Sequence, residues 1–185
     1  MNTGEYENGD FFPGHYLYSR LVLTFRAFFG TVGRMKKGID YIGVGVGAII
    51  FDRKGRVFLA KRGREARNEA GKWEFPGGGV EFNETLEHAL VREVREEYGI
   101  EIEVESLLDV VNHMIPEEKQ HWVSPTFICS ITSGTPIIKE PHKCEEIGWF
   151  KLDRIPERQL TIASKKSLAS LLGKGITRQA RDEDI

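Results

Sequence analysis

The stretch "REVREEYG", residues 92–99, constrains this chain more than any other: three glutamates, Glu93, Glu96 and Glu97, crowd the C-terminal end of a predicted helix. That helix is expected from about Glu84 to Tyr98, with Gly99 as its C-cap. The backbone dipole already places negative charge there, so each carboxylate costs about 0.3–1 kcal/mol before screening. Glu93/Glu97 and Glu93/Glu96 repel at helical neighbour spacing, and only Arg92 with Glu96 attracts at i,i+4, in its less favourable order. Stability alone would not select this helix end.

At 100° per residue, Leu86, Ala89 and Leu90 share an arc of roughly 100° with Glu93, Glu96 and Glu97. The acids therefore prolong an apolar stripe instead of opposing it. Val91, Val94 and Tyr98 supply a second strip for burial, which places the carboxylates at the edge of the core, facing a cleft; a charged surface helix with fortuitous spacing is the competing reading. Repelling carboxylates need a cation. An all-oxygen site without histidine or thiolate suits Mg²⁺, with Mn²⁺ as a substitute. The glycines of "FPGGGV" lie just upstream, where a loop without side chains can offer carbonyls and admit a ligand closely. Together these features suggest metal-assisted chemistry on a phosphate.

With 185 residues, 40% hydrophobic, the chain accommodates one packed domain and an extension. The net charge of −2 gives no case for stable nucleic-acid binding, but charge is uneven: −3 over residues 1–10 and +5 over 11–39. Residues 1–38 read as a partly helical extension, with Leu17, Leu21, Phe25 and Phe28 at helical spacing. It could pack on its own domain or on a homodimer mate, lie on a membrane surface through residues 11–39, or be a mobile tail. Arg20 and Arg26 interrupt its apolar run, which excludes a spanning helix, and the acidic start is wrong for a secretory signal. Cys129 and Cys144, without a CxxC, fit two buried thiols in a reducing cytoplasm.

"YIGVGVGAIIF" reads as a buried strand that turns at "DRKG" into "RVFLAKR". Further strands are expected in "IEIEVESLLDVVNHMI", "HWVSPTFICSIT" and "EIGWFKL", a last helix in "SKKSLASLL", and a flexible tail over 173–185.

Gly78, five residues, Glu84, seven residues and then "REVREEYGI" resemble the complete Nudix box, with every fixed residue and both aliphatic positions satisfied. Strand order outside the box resembles the Nudix fold as well. The resemblance implies an α/β/α sandwich with a mixed β-sheet over 39–172, and an enzyme that hydrolyses a nucleoside diphosphate linked to another moiety. "VVNHMIPEEKQHWV" and "EPHKCEEIGWF" are similar to the MutT-like branch, which cleaves nucleoside triphosphates to the monophosphate and pyrophosphate. ADP-ribose or a nucleotide sugar is the rival substrate, and a non-catalytic nucleotide sensor the rival class.

By that resemblance Glu93, Glu96 and Glu97 hold Mg²⁺ with a carbonyl of Gly77 or Gly78, Glu93 is the candidate base, and Arg92 orients the acids. Glu84 has either a capping or a catalytic role. Arg62, ending the second strand, is the candidate phosphate contact. Glu117, Glu118, Glu145 and Glu146 are weighed as further ligands against plain surface charge. His113 and His121 flank the expected cleft loop, and Trp122, Phe127 and Trp149 could stack on a base, although aromatics in strands are more often core.

Overall fold

The computed structural model describes residues 35–66 and 68–178. The predicted N-terminal helix, with its dimer and membrane readings, lies outside the described residues.

Strand β1 (Gly43–Phe51) is the axis of the sheet. Its C-terminal half, "AIIF", is wholly buried because both faces are covered: Val46, Ala48 and Ile50 join one apolar cluster, Ile49 and Phe51 the other. β2 (Val57–Arg62) follows through the predicted turn and repeats the alternation, with Phe58 and Ala60 on the first side and Val57 and Leu59 on the second. Asp52 fixes the turn by accepting from the Lys54 and Arg56 N–H groups at 2.9 and 2.8 Å.

The remaining strands are β3 (Trp73–Glu74), β4 (Gly77–Gly79), β5 (Glu101–Ile115), β6 (Gln120–Ser133) and β7 (Cys144–Phe150). They form one mixed sheet whose main path is β3-β2-β1-β6-β5, with β4 paired to β1 and β7 to β2. β1 and β6 run parallel and every other pair is antiparallel. Helix α1 (Leu86–Tyr98) covers the first face and α2 (Ile162–Gly173) the second, giving the expected α/β/α sandwich.

α1 begins two residues later than expected, because Thr85 rather than Glu84 is its N-cap and accepts from the His88 N–H. Gly99 closes it at φ 68°, the left-handed conformation that glycine adopts without a Cβ penalty. The three glycines are not a free loop: Gly77, Gly78 and Gly79 pair with Gly47, Val46 and Gly45 of β1. Residues just past α2 pack back on the sheet, where Ile176 joins the second cluster and Arg178 lies over the Phe51 ring and pairs with Glu105. Residues 179–185 of the predicted tail lie outside the described residues. Both cysteines are buried and free, as expected.

Leu90 is fully buried where α1 meets the sheet. Leu90→Ala is expected to cost about 2–5 kcal/mol in urea unfolding, the range for a cavity left by a buried leucine. An exposed change on the same helix, Glu87→Ala, is expected to stay within about 0.5 kcal/mol.

Candidate active site

The packing of α1 sets where its acids point. Ala89, Leu90, Val94 and Tyr98 are buried against β1, β2 and their neighbours, which leaves Glu93 and Glu97 on the half-buried edge of the helix. Glu96 lies at the rim of the predicted arc; in the fold its side chain is 58% exposed and turns to Arg92.

Arg92 organises the acidic cluster. Its Nε and Nη2 donate to both oxygens of Glu84 at 2.7 and 2.9 Å, and Nη1 donates to Glu93 at 2.9 Å and Glu96 at 3.2 Å. Nη2 also reaches the carbonyl of Gly79 at 3.1 Å. The guanidinium thus ties α1 to β4. Glu84 also accepts from the Glu81 N–H at 3.1 Å. Arg92, followed by that N–H, holds the Glu84 carboxyl down at about 2, and the same pairing raises Arg92.

Gly78 lies directly under Glu93. A Cβ at this position would overlap the Glu93 carboxyl group, and one at Gly77 would overlap the Val46 carbonyl. The box glycine is therefore a steric requirement of the carboxylate above it, whereas Gly79 has room to spare.

Glu93 and Glu97 face a cavity of about 600 Å³ together with Gly77, Gly78, Lys143 and Glu140. Burial pushes the Glu97 carboxyl up to about 7, and the charge of Glu93 adds to the shift. Two carboxylates and adjacent backbone form a hard-oxygen donor set that fits a divalent cation, whose charge would relieve this repulsion. Among the described residues, no three acid, histidine or cysteine side chains are gathered in the arrangement of a metal site. Glu96 in particular is drawn toward Arg92.

The other sequence candidates separate. Arg62 lines the cavity with its guanidinium engaged by Glu74 at 2.6 Å and by Asn68 at 2.9 Å. His113 and Trp122 line it too, while His121 pairs with Asn112 outside it. Glu145 and Glu146 both meet Lys61, and Glu118 accepts from Gln120. Trp149 packs on Phe58, and Phe127 is core. Sequence reasoning passed over Glu69, Glu74, Glu140 and Lys143, which all line the cavity. They come from separate loops and a two-residue strand without local periodicity; the one local signal is Glu74, two residues before "PGGG".

Residues 42–171 match a family model described as the NUDIX domain. An 8-oxo-dGTP diphosphatase from Proteus vulgaris is 46% identical over 69 residues, which cover 37% of this chain and 61% of that protein. An ADP-ribose pyrophosphatase from Methanocaldococcus jannaschii is 32% identical over 108 residues, 58% of this chain and 62% of that protein. The chain thus spans less than two thirds of the length of these two curated relatives. A crystal structure of a MutT NUDIX hydrolase from Burkholderia pseudomallei superposes with a TM-score of 0.66 at 41% identity, covering 71% of this chain and 98% of that one.

Two outcomes are expected from this geometry. Gly78→Ala should weaken divalent-cation binding at least tenfold in calorimetry while far-UV circular dichroism stays native, because the new methyl displaces Glu93. In the metal-free protein, Glu97 keeps its proton up to about pH 7, whereas the unfolded chain releases it near 4.5. The folded state therefore binds more protons across that window, and this group's contribution to stability falls as pH rises from about 4.5 to 7. Melting curves in chelator should show this decline, and Glu97→Gln should flatten it.

Proposed function

Because the chain belongs to the Nudix family, we propose that it is a Mg²⁺-dependent pyrophosphohydrolase that cleaves a nucleoside triphosphate to the nucleoside monophosphate and pyrophosphate. The observation that carries this reading is the pair Glu93 and Glu97, facing one cavity above the glycines of β4, with Glu93 braced from behind by Arg92. Glu93, Glu96 and Glu97 would hold the cation with a carbonyl of Gly77 or Gly78, and Mn²⁺ could substitute. When bound, the cation supplies charge neutralisation of the phosphates and acidification of water.

The chain's own residues then have separable tasks. Glu93 accepts the proton of the attacking water, and its carboxylate is aimed by the Nη1 donor of Arg92. Glu84 acts one step further out by fixing the plane of that guanidinium, a bidentate task that lysine cannot perform. Arg62 meets the phosphates from the wall that it shares with Glu74 and Asn68. Lys143, paired with Glu140 at 2.7 Å, provides a further cation beside the cavity. Two buried free thiols favour a reducing compartment such as the cytoplasm.

The M. jannaschii relative named an ADP-ribose pyrophosphatase supports a second reading, hydrolysis of ADP-ribose or a nucleotide sugar. Chromatography of products from a nucleotide panel with Mg²⁺ separates the two. Pyrophosphate and a monophosphate from a triphosphate are expected; ribose 5-phosphate from ADP-ribose, with triphosphates untouched, would reject the first reading. Glu97→Gln is expected to reduce turnover at least 100-fold without altering the fold. A sensor that only binds nucleotides would show no turnover in either protein.

A further inference from the structure

The start of β1 has a feature that the proposed phosphate chemistry does not use. Glycine occupies every second position there, Gly43, Gly45 and Gly47, so one face of the strand is bare backbone. Gly47 pairs with Gly77 and Gly45 with Gly79, whereas Gly43 lies beside Trp122 of β6. A Cβ on Gly43 would overlap the Trp122 indole, and so would one on Gly38. Gly38 belongs to the turn before β1, which is pinned to β6 where the His121 N–H donates to the Gly38 carbonyl at 2.9 Å. The indole therefore rests against backbone, instead of standing clear of the sheet as strand side chains ordinarily do.

This seat does not serve the core. Trp122 is half-buried, and among the described residues neither apolar cluster includes it. It lines the cavity that Glu93 and Glu97 face. Its Nε1 donates to the Gln120 Oε1 at 3.3 Å, and the same oxygen accepts from the Asn68 Nδ2 at 3.0 Å, which ties the ring to the wall that holds Arg62. Phosphates drawn to the acidic helix end lie by Gly47 and Gly77. At ~3.3 Å per residue, Gly43 is about 13 Å further along β1, within the span of a nucleotide from its phosphates to its base. The path between stays open, since a Cβ on Gly45 or Gly47 would project toward Ser124 or Thr126 on the same cavity wall.

We propose that Trp122 is the platform on which the nucleobase stacks, and so the residue that selects nucleotides over bare polyphosphates. This deepens the nucleotide reading and rests on it. An indole face meets any planar base through dispersion and ring electrostatics, so it registers the presence of a base and not its exocyclic groups.

Trp122→Ala is expected to weaken, by roughly 10- to 100-fold in calorimetry with Mg²⁺, every member of the panel ATP, GTP, CTP and UTP that wild type binds. Inorganic pyrophosphate with Mg²⁺ should bind as in wild type. Trp122→Phe keeps a smaller ring and should recover most of the loss. Fluorescence gives an independent reading, because stacking quenches indole emission. Nucleotides should dim wild type but not Trp122→Phe, whose remaining Trp73 is buried and Trp149 packed on Phe58. The inference is overturned if pyrophosphate binding falls in step with the nucleotides, which marks a structural role, or if only some of the bound nucleotides weaken, which marks recognition of a base edge. Unchanged nucleotide affinity in Trp122→Ala, or quenching that persists in Trp122→Phe, overturns it as well. Turnover keeps the two readings apart. Nucleotide binding that depends on Trp122 without release of monophosphate would reject only the hydrolase reading; hydrolysis by Trp122→Ala at the wild-type KM would reject only the role of Trp122; no nucleotide binding in wild type would reject both.

Discussion

Arg92 binds three carboxylates with one guanidinium, and the rest of the site is arranged around it. The two bonds to Glu84 fix the plane of the cation, the bond to the Gly79 carbonyl fixes its distance from β4, and the remaining Nη1 aims Glu93. One side chain thereby couples a helix, a strand and the carboxylate between them. Substitution of Arg92 would release Glu84, Glu93 and Glu96 together, so their individual effects on the site should be strongly non-additive.

Glu97 is the acid that this cation does not reach. Its burial and its proximity to Glu93 leave it with a raised proton affinity, whereas Glu84, fully engaged, is held far below its ordinary value. The helix end is therefore divided electrostatically: Glu84, Glu93 and Glu96 share the charge of Arg92, and Glu97, on the cavity side, is left for an external charge. That division resolves the instability expected of "REVREEYG" as an isolated helix end.

Much of this was legible in local pattern. The β-branched run of β1, the turn at Asp52, the apolar stripe of α1 and the αL cap at Gly99 all follow from short-range rules, and the structure places them as expected. The spacing of Gly78 from Glu93 was visible too, but its reason was not: the glycine is needed because a carboxylate from 15 residues later lies on top of it. Spacing groups Glu96 with Glu93 and Glu97 and also makes it the i,i+4 partner of Arg92, and the Arg92 bond is the one that the fold forms. Glu69 was not legible at all. Its position depends on the Arg62 N–H bonding to the Lys72 carbonyl across the loop and on the Ile162 N–H arriving from the far end of the domain.

The absence of side chains at Gly45 and Gly47 has a consequence for how such a cavity can change over time. A floor of backbone cannot deepen by mutation, and any replacement there projects a group toward Ser124 or Thr126. The depth of the cavity is already at its limit, set by β1 itself. New ligand preferences would then arise from the walls, through Trp122, Thr126, Ser167 and the loop bearing Glu69. The architecture separates a chemical half built on backbone and the acidic helix end from a half whose wall residues can change one at a time.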